Sequence, residues 1–350
     1  MKDFSLHIIK HTSSAREALR KLDALPSLED RTLFVVNDSE KLLGTITDGD
    51  IRRGLLNDKE ISDNCAAFMN SNFKFLEELN ISLTKIAEFR QKDIYLIPVI
   101  GNEGRMVKIL NLKKQQSAIP ASALIMAGGK GERLKPLTDT LPKPMLKVGD
   151  KPIIEYNIDR LANFGISQQF ISVKYMAEKI EEYFGSGKDK DITIEYVHEN
   201  EPLGTIGALS LIDNLTHDHL LVMNSDILTN IDYEDFFKFY IDSGADLCIA
   251  SIPYKVKIPY AVLETNNDNI LSFQEKPTYT YYSSGGIYFM RSSLKQIIPV
   301  NSFYNATDLM EELIKQGRKV SHYPLLSYWL DIGRHEDFAK AQADIKHIKW

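Results

Sequence analysis

Residues 123–144 read ALIMAGGKGERLKPLTDTLPKP, and this stretch decides the architecture of most of the chain. Ala123–Met126 is an apolar run with the look of a buried strand. It passes directly into Ala127-Gly128-Gly129-Lys130-Gly131-Glu132-Arg133-Leu134. Three glycines in four positions let the backbone approach a polyphosphate closely, and their N–H groups can form an anion-binding nest. Arg133 and Lys143 add positive charge where a triphosphate must be neutralised. Pro142 and Pro144 restrict the chain around Lys143. GGKG alone would favour a surface turn carrying incidental basic residues. The loop is not a Walker A sequence, since it has no Gly-Lys-Ser/Thr, and it lacks the GxGxxG spacing of a dinucleotide fingerprint.

Downstream, apolar runs and helical periods alternate. The pattern predicts a helix over 153–164, a strand over 169–173, a helix over 176–184 and a strand over 192–198. A further helix is expected to start at 206–211, and a buried strand to follow at 219–223. Such alternation implies an α/β domain over 121–350, Rossmann-like, with a mostly parallel sheet covered by helices on both faces. Ligands then bind beyond the carboxyl ends of the strands.

Upstream, residues 1–116 read as two similar α+β units about 60 residues apart, 1–57 and 58–116, each with a helix, a strand, a turn and a returning strand. In the first unit these are 15–25, 32–36, 37–41 and 42–47. In the second they are 83–90, 95–100, 101–105 and 106–110. Lys113–Ala121 (KKQQSAIPA) reads as a short polar linker.

The whole chain has 350 residues, enough for two domains. A net charge of −6 argues against a general nucleic-acid binder, which needs a basic stripe, but leaves room for a nucleotide enzyme with a local cationic cluster. Cys65 and Cys248 sit among apolar residues and read as two buried thiols rather than a disulfide framework. The N-terminal MKDFSLHIIKHTSS carries no signal-peptide pattern, and no apolar run reaches the ~20 residues that span a bilayer. A cytoplasmic protein with no membrane or nucleic-acid partner is expected. His217-Asp218-His219 lies in a polar connection with no third ligand nearby, so a solvated loop is the better reading than a metal pair.

The full string GGKGERLKPLTDTLPKPM resembles the signature of the sugar nucleotidyltransferase family, and KPIIEYNIDRLANFGI resembles the helix that follows it there. Further elements agree in order. Glu201-Pro202-Leu203-Gly204-Thr205-Ile206-Gly207-Ala208 resembles the family's PLGTAGAL element beside the base. Val222-Met223-Asn224-Ser225-Asp226 resembles a strand ending in a metal-binding aspartate. Phe273-Gln274-Glu275-Lys276-Pro277 and Ser284-Gly285-Gly286-Ile287-Tyr288 resemble sugar-contacting elements, and Trp329-Leu330-Asp331-Ile332-Gly333 resembles the element with the second metal ligand. The resemblance spans residues 121–345.

It implies that a sugar-1-phosphate oxygen attacks the α-phosphorus of a nucleoside triphosphate and that pyrophosphate leaves. Both reactants are anionic, so neutralising charge and positioning are most of the task. Arg133 and Lys143 are the implied catalytic residues. Ala127, Gly128, Gly129, Lys130, Gly131, Glu199, Gly204 and Thr205 are the implied nucleotide-binding set. Asn224, Tyr260, Glu275, Lys276 and Gly286 are expected to hold the sugar phosphate. Asp226 and Asp331 are the implied Mg²⁺ ligands, each expected at the end of an apolar strand of the parallel sheet, where one or two carboxylates suffice. Either aspartate alone would read as a cap or turn residue.

Gly44-Thr45-Ile46-Thr47-Asp48-Gly49-Asp50-Ile51-Arg52-Arg53 resembles the end of a CBS motif, a family of paired modules that bind adenine nucleotides. Thr47 and Asp50 are the implied contacts. Met106–Leu112 lacks the Thr-Asp portion, so the second unit is a degenerate copy with at most one nucleotide site in the pair. A pair used only to form a homodimer or larger homo-oligomer fits nearly as well.

His198–Thr205 looks more like the guanylyltransferase branch, and an acidic acceptor at Glu199 suits the N–H donors of guanine. A CBS pair fused to such a domain resembles the glucosamine-1-phosphate guanylyltransferases of bacterial legionaminic acid synthesis. GTP with glucosamine-1-phosphate or a related hexose phosphate is therefore expected. Thymidylyl, uridylyl or mannose-1-phosphate guanylyl transfer, and a catalytically silent nucleotide-sensing subunit, are the alternatives.

Overall fold

A computed structural model describes residues 4–26, 31–78 and 81–349. The chain divides into two compact units, Met1–Ala118 and Ile119–Trp350.

In the first unit, β1 (Ile8–Lys10), β2 (Leu33–Val36) and β3 (Leu42–Ile46) form one sheet, with α1 (Ala15–Asp23) and α2 (Asp48–Leu56) attached. Helix α1 starts where Ser14 accepts the Glu17 N–H and Glu17 returns the bond to the Ser14 N–H. Its Ala15, Ala18 and Leu22 are buried against Leu33, Val35 and Ile51. After α3 (Cys65–Phe68), the second half repeats the theme with β4 (Leu76–Glu77), α4 (Leu83–Gln91), β5 (Leu96–Ile100) and β6 (Met106–Asn111). The halves share an apolar cluster in which Phe34, Val36 and Leu42 meet Leu96, Ile100, Met106 and Ile109. Helix α2 is absent from the expected elements; the Thr47–Arg53 stretch reads as a ligand motif, and in the structure Thr47 caps a helix that starts at Asp48.

The stretch expected to be a polar linker is firmly held at its end. Ala118 and Ile119 are buried, and the Ile119 N–H donates to the Phe164 carbonyl at 3.0 Å.

The second unit begins with β7 (Ala121–Met126) and the small hairpin β8 (Lys147–Val148) and β9 (Lys151–Pro152). Next come α5 (Ile153–Asn163), β10 (Gln168–Val173), α6 (Ala177–Phe184), β11 (Thr193–His198), β12 (His219–Asn224), β13 (Ile227–Thr229) and α7 (Tyr233–Ser243). The chain continues through β14 (Leu247–Lys257), β15 (Val262–Asn266), β16 (Asn269–Gln274), β17 (Thr278–Arg291), α8 (Ala306–Lys315), β18 (Val320–Pro324), β19 (Trp329–Asp331) and α9 (His335–Asp344). Seven strands pair in the order β11-β10-β7-β12-β17-β14-β18. All run in one direction except β17, which is antiparallel to both neighbours. The sheet is thus mostly parallel, in an α/β unit.

Two local expectations are corrected. The segment after Ile206 forms only a 3₁₀ turn, Gly207–Leu211, which ends at the extended Ile212. Asp331 does not end a strand of the parallel sheet. It ends β19, which pairs only with β13 in a separate antiparallel ribbon, with Ile227 opposite Asp331. That ribbon turns back from the end of β12, so the two aspartates still converge.

Beyond the sheet, the end of β14 and the start of β17 continue as a two-stranded arm, with Pro253 opposite Tyr282 and Lys257 opposite Thr278, and the hairpin β15–β16 follows on from it. Burial stops at the edge of the sheet. Gly285–Met290 are buried, whereas every residue of β16 is exposed. Among the described residues no helix is long and apolar enough to cross a membrane.

Candidate active site

The carboxyl ends of β7, β10, β11 and β12 lie side by side, and backbone hydrogen bonds step across them. Ala127 N–H donates to Ser172, Glu199 N–H to Val173 and Ser225 N–H to Met126, each at 2.9–3.1 Å. This fixes the origins of three segments, the glycine loop, the Glu199 loop and the Asp226 turn, on one edge.

The loop closes tightly on itself. Gly131 takes φ 65°, a left-handed backbone open to glycine, and a Cβ there would come within 2.8 Å of Lys143 Cβ. Thr138 Oγ1 donates to the Gly131 carbonyl at 2.9 Å. Both constraints bring Lys143 under the loop. Its ammonium donates to Asp226 Oδ2 and pairs with it, and both side chains are largely buried. Gly128 faces the Glu199 carboxylate, where an added Cβ would lie 3.0 Å from Oε1, and Glu199 Oε2 accepts the Leu203 N–H at 3.1 Å.

The Asp226 turn is pinned from beneath by Asn157, buried on α5, whose amide donates to the carbonyls of Ser225 (3.3 Å) and Ile227 (2.9 Å). Nothing in the sequence singled out Asn157 as a site residue. A polar side chain at a core-facing position of IIEYNIDRL was the available signal. Asp226 also receives the Ile332 N–H on its backbone carbonyl at 3.0 Å, which joins it to the segment after Asp331. Burial, and then the neighbouring Asp226 carboxylate, push the Asp331 carboxyl above its usual range, while Lys143 and Arg133 pull the other way. Asp226 Oδ1 is buried and accepts no hydrogen bond among the described residues.

Two close carboxylates, one with a buried oxygen lacking a donor and the other resisting ionisation, fit a hard divalent cation with oxygen ligands. No cluster of three or more His, Cys, Asp or Glu residues arranged for a metal occurs among the described residues. Two protein carboxylates with phosphates and water match the coordination habit of Mg²⁺.

Asn224 lies against Gly286, whose φ of 67° and missing Cβ make room for the amide; a Cβ would sit 2.7 Å from Nδ2. Trp329 Nε1 donates to the Gly285 carbonyl at 2.9 Å, tying the Gly-Gly turn to β19.

The remaining expected residues are engaged elsewhere or exposed. Ala127 is buried and structural, whereas Gly129 and Lys130 are exposed, and nothing lies within 4 Å of a Cβ built on Gly129. Gly204 packs on Tyr304 and Asn305, and Thr205 Oγ1 accepts the Ala306 N–H at 2.9 Å, so this pair serves the start of α8. Tyr260, Glu275 and Lys276 lie on the exposed arm. Among the described residues the Lys276 ammonium pairs only with Glu275, at 4.0 Å, and Lys276 holds a φ of 45° that a non-glycine residue adopts at a cost.

His217 and His219 do not share a site. His217 Nδ1 lies 3.0 Å from Ser122 Oγ, and His219 Nδ1 lies 3.2 Å from the Tyr240 hydroxyl. Cys65 and Cys248 are free and buried, and burial pushes each thiol up to about 11.

In the first unit, Thr47 and Asp50 are engaged with each other. Thr47 Oγ1 donates to Asp50 Oδ2 at 2.6 Å and accepts the Asp50 N–H at 3.2 Å, and the Thr47 N–H donates to the same carboxylate at 2.9 Å. Arg53 takes the other carboxylate oxygen. The pair forms the capping box of α2.

The site therefore combines a glycine loop, Lys143 and Asp226 at the edge of the sheet with Arg133 and Asp331, the latter brought in by the separate β13–β19 ribbon. The nucleotidyl transferase family model matches residues 122–348, and the CBS domain model matches residues 2–57. The chain is 32% identical over 228 residues to a D-glycero-α-D-manno-heptose 1-phosphate guanylyltransferase of Aneurinibacillus thermoaerophilus, covering 64% of this chain and 98% of that protein. It is 30% identical over 229 residues to a mannose-1-phosphate guanylyltransferase of Mycobacterium tuberculosis, covering 64% of each, so it spans slightly less than two thirds of that relative. The crystal structure of HddC from Yersinia pseudotuberculosis superposes with a TM-score of 0.51 at 26% identity, over 64% of this chain and 99% of that one.

Proposed function

The chain belongs to the nucleotidyl transferase family, and on that premise we propose that it transfers a guanylyl group from GTP to a hexose-1-phosphate, releasing pyrophosphate and a GDP-sugar. The observation that carries this reading is the convergence of the Gly128–Gly131 loop, Arg133 and Lys143 with Asp226 and Asp331. The intact cluster argues against a silent nucleotide-sensing subunit.

Gly128–Gly131 and Lys130 receive the triphosphate, and Glu199, held against Gly128, accepts hydrogen bonds from the guanine edge. Gly204 and Thr205 hold the segment that follows Glu199. Lys143, seated on Asp226, neutralises charge at the α-phosphate, and Arg133 does so on the leaving side. Asp226 and Asp331 hold the divalent cation, proposed to be Mg²⁺, which supplies Lewis-acid polarisation and charge neutralisation at the phosphates. The sugar-phosphate oxygen forms the new bond to the α-phosphorus, and the bond to the β-phosphate oxygen breaks with its electron pair going to pyrophosphate. No side-chain nucleophile is needed. Asn224 and Gly286 border the acceptor side, and Tyr260, Glu275 and Lys276 supply sugar and phosphate contacts from the arm.

The names of both guanylyltransferase relatives support GTP. Glucosamine-1-phosphate is the first acceptor to test, and a heptose-1-phosphate the second. A pyrophosphate-release screen of ATP, GTP, CTP, UTP and dTTP against a panel of sugar-1-phosphates tests the reading. Release with GTP and a hexose- or heptose-1-phosphate supports it, and release only with another base overturns the guanylyl assignment.

For the first unit, we propose an adenine-nucleotide site at Thr47 and Asp50 that also serves assembly. The reading is supported by the CBS match over residues 2–57 and by the carboxylate held at the start of α2. Calorimetry with AMP, ADP and ATP on the full chain and on Asp50→Ala checks it. No binding to any of them would leave assembly as the role, and binding that the substitution does not alter would place the nucleotide away from Asp50.

A further inference from the structure

We propose that the junction between β10 and α6, residues 172–179, is the frame that sets the spacing between the glycine loop and the segment 199–205, with Tyr175 and Lys174 as its two positioning residues. The inference rests on the nucleotidyl-transfer reading above, in which one nucleotide lies across both segments. It extends that reading to side chains that no motif singled out.

This short stretch reaches both segments. At the end of β10 the Ser172 carbonyl accepts the Ala127 N–H at 2.9 Å, and the Val173 carbonyl accepts the Glu199 N–H at 3.0 Å. These bonds fix where each segment leaves the sheet. Side chains then hold what lies beyond. Lys174 Nζ donates to the Asn200 carbonyl at 2.7 Å. The Tyr175 hydroxyl donates to the Thr138 carbonyl at 3.2 Å, and Lys179 Nζ donates to the Thr140 carbonyl at 2.8 Å.

The Tyr175 bond has the furthest reach. Thr138 is buried, and its Oγ1 donates to the Gly131 carbonyl at 2.9 Å. Gly131 lies against Lys143, where an added Cβ would meet the Lys143 Cβ at 2.8 Å. A donor outside the loop thus acts on Lys143 through Thr138 and Gly131. The loop needs such a hold, because between β7 and β8 its regular structure is confined to the short 3₁₀ turns Glu132–Leu134 and Lys143–Met145.

The backbone of the junction is a second, independent observation. Met176 takes φ 51°, a left-handed conformation that a non-glycine residue adopts at a cost. It stands between Tyr175 and α6, where the chain turns so that Tyr175 and Lys179 both reach 138–140. Strain of this kind persists where surrounding contacts over-determine it. Lys174 and Lys179 each give their ammonium to a backbone carbonyl, so they hold chain rather than phosphate. Lys174 also lies 3.7 Å from the Glu201 carboxylate, whose side chain is 88% exposed, and that pair adds little.

The test is hydrogen exchange of the full chain without ligand, read by mass spectrometry over 131–140 and 199–205. Tyr175→Phe should speed exchange about fivefold over 131–140, the loss of one hydrogen bond, and leave 199–205 unchanged. Lys174→Met should do the converse. General damage to the fold would raise both segments together. Lys179→Met probes 131–140 even if Tyr175→Phe fails to fold, and Lys179→Arg, which keeps a donor, should restore slow exchange. No change in either segment, or an equal change in both, overturns the proposal. Kinetics then read the consequence. Tyr175→Phe should lower kcat for pyrophosphate release about fivefold, with the sugar-1-phosphate KM within about twofold of its original value. Thr138→Val should act alike, and the double variant should be no slower than the slower single one, because Tyr175 acts through Thr138. Effects that multiply to about 25-fold, or an unchanged kcat, overturn the role in the reaction. Should the segments respond as stated while the unsubstituted chain releases no pyrophosphate from any nucleotide and sugar phosphate, the transfer reading fails and the frame stands.

Discussion

Two regions of the second unit carry the same set of family motifs in opposite structural conditions. Around the loop and turn, Lys143 and Asp226 are largely buried, paired with each other and braced by Asn157 and the Ile332 backbone, and Asp331 stands exposed at the end of β19 within their electrostatic reach. Along the arm, Tyr260 is 76% exposed, and Glu275 and Lys276 pair weakly in solvent. The difference implies that the proposed phosphate-handling half stands on the sheet ends and the short ribbon beside them, while the proposed sugar-handling half rides on an arm beyond the sheet. A pre-assembled cluster contributes to catalysis because its geometry is set before substrate arrives. A group on an exposed arm contributes chiefly through binding.

The comparison breaks most sharply at Asp226. Asp226→Ala removes the charge that seats Lys143 and one of the two carboxylates, and steady-state assays should show turnover reduced about a thousandfold. Normal turnover at saturating Mg²⁺ would place the metal elsewhere.

Gly131→Ala tests the bracing without removing any functional group. It imposes a side chain on a left-handed residue and presses on Lys143 Cβ. Strain of roughly 2 kcal/mol should lower kcat about thirtyfold. An unchanged kcat would mean that the loop is free to reshape.

Lys276→Ala probes the arm. The KM for the sugar-1-phosphate should rise about tenfold, the loss of one charge-assisted contact, with the nucleotide KM unchanged. Equal effects on both substrates would contradict the division into halves.

The smallest effect is on stability. Folding raises the Asp331 carboxyl above its ordinary value of 3.8, through burial and Asp226, so its ionised form is disfavoured in the folded state. That cost is absent below the ordinary value and fully present above the raised one, and metal-free protein loses the increment as pH climbs between them. Asp331→Asn stays neutral throughout. Without metal at pH 7 its melting temperature should slightly exceed that of the unsubstituted chain, by a small increment because solvent screens the exposed Asp331. The advantage should vanish at acid pH and reverse when Mg²⁺ saturates the native site. A lower melting temperature for metal-free Asp331→Asn would show that the carboxylate pair is not repulsive.

Much of this was legible beforehand because it is written locally. Ala123–Met126 entering three glycines announces a strand and a phosphate loop from composition and order alone. The placement of Glu199, Asn224 and Asp226 at strand ends follows from alternation. The failures are where a local pattern has two physical outcomes. Ile206–Leu211 is apolar enough for a helix, but Gly207 packs against the 302–304 backbone and the turn stops after five residues. The Thr47 and Asp50 side chains, which read as a ligand motif, also start a helix that no period in that stretch announces. Asn157 and His335 carry no signature, since a single polar residue acquires a role only through the distant carbonyls it meets.

The sequence by itself determined the reaction class, the order of the sheet's ligand-bearing ends and the identity of the charged groups, because residue chemistry and period are local properties. Tertiary structure alone decided which of those groups stand together. Asp331 reaches Asp226 through an antiparallel ribbon outside the main sheet, and His335 donates to the Lys135 carbonyl across 200 residues of chain. Lys276 stands apart, because it lies on the exposed part of the arm, where it pairs only with Glu275 among the described residues. Contacts of that kind depend on how buried surfaces close on one another, and no spacing along the chain records it.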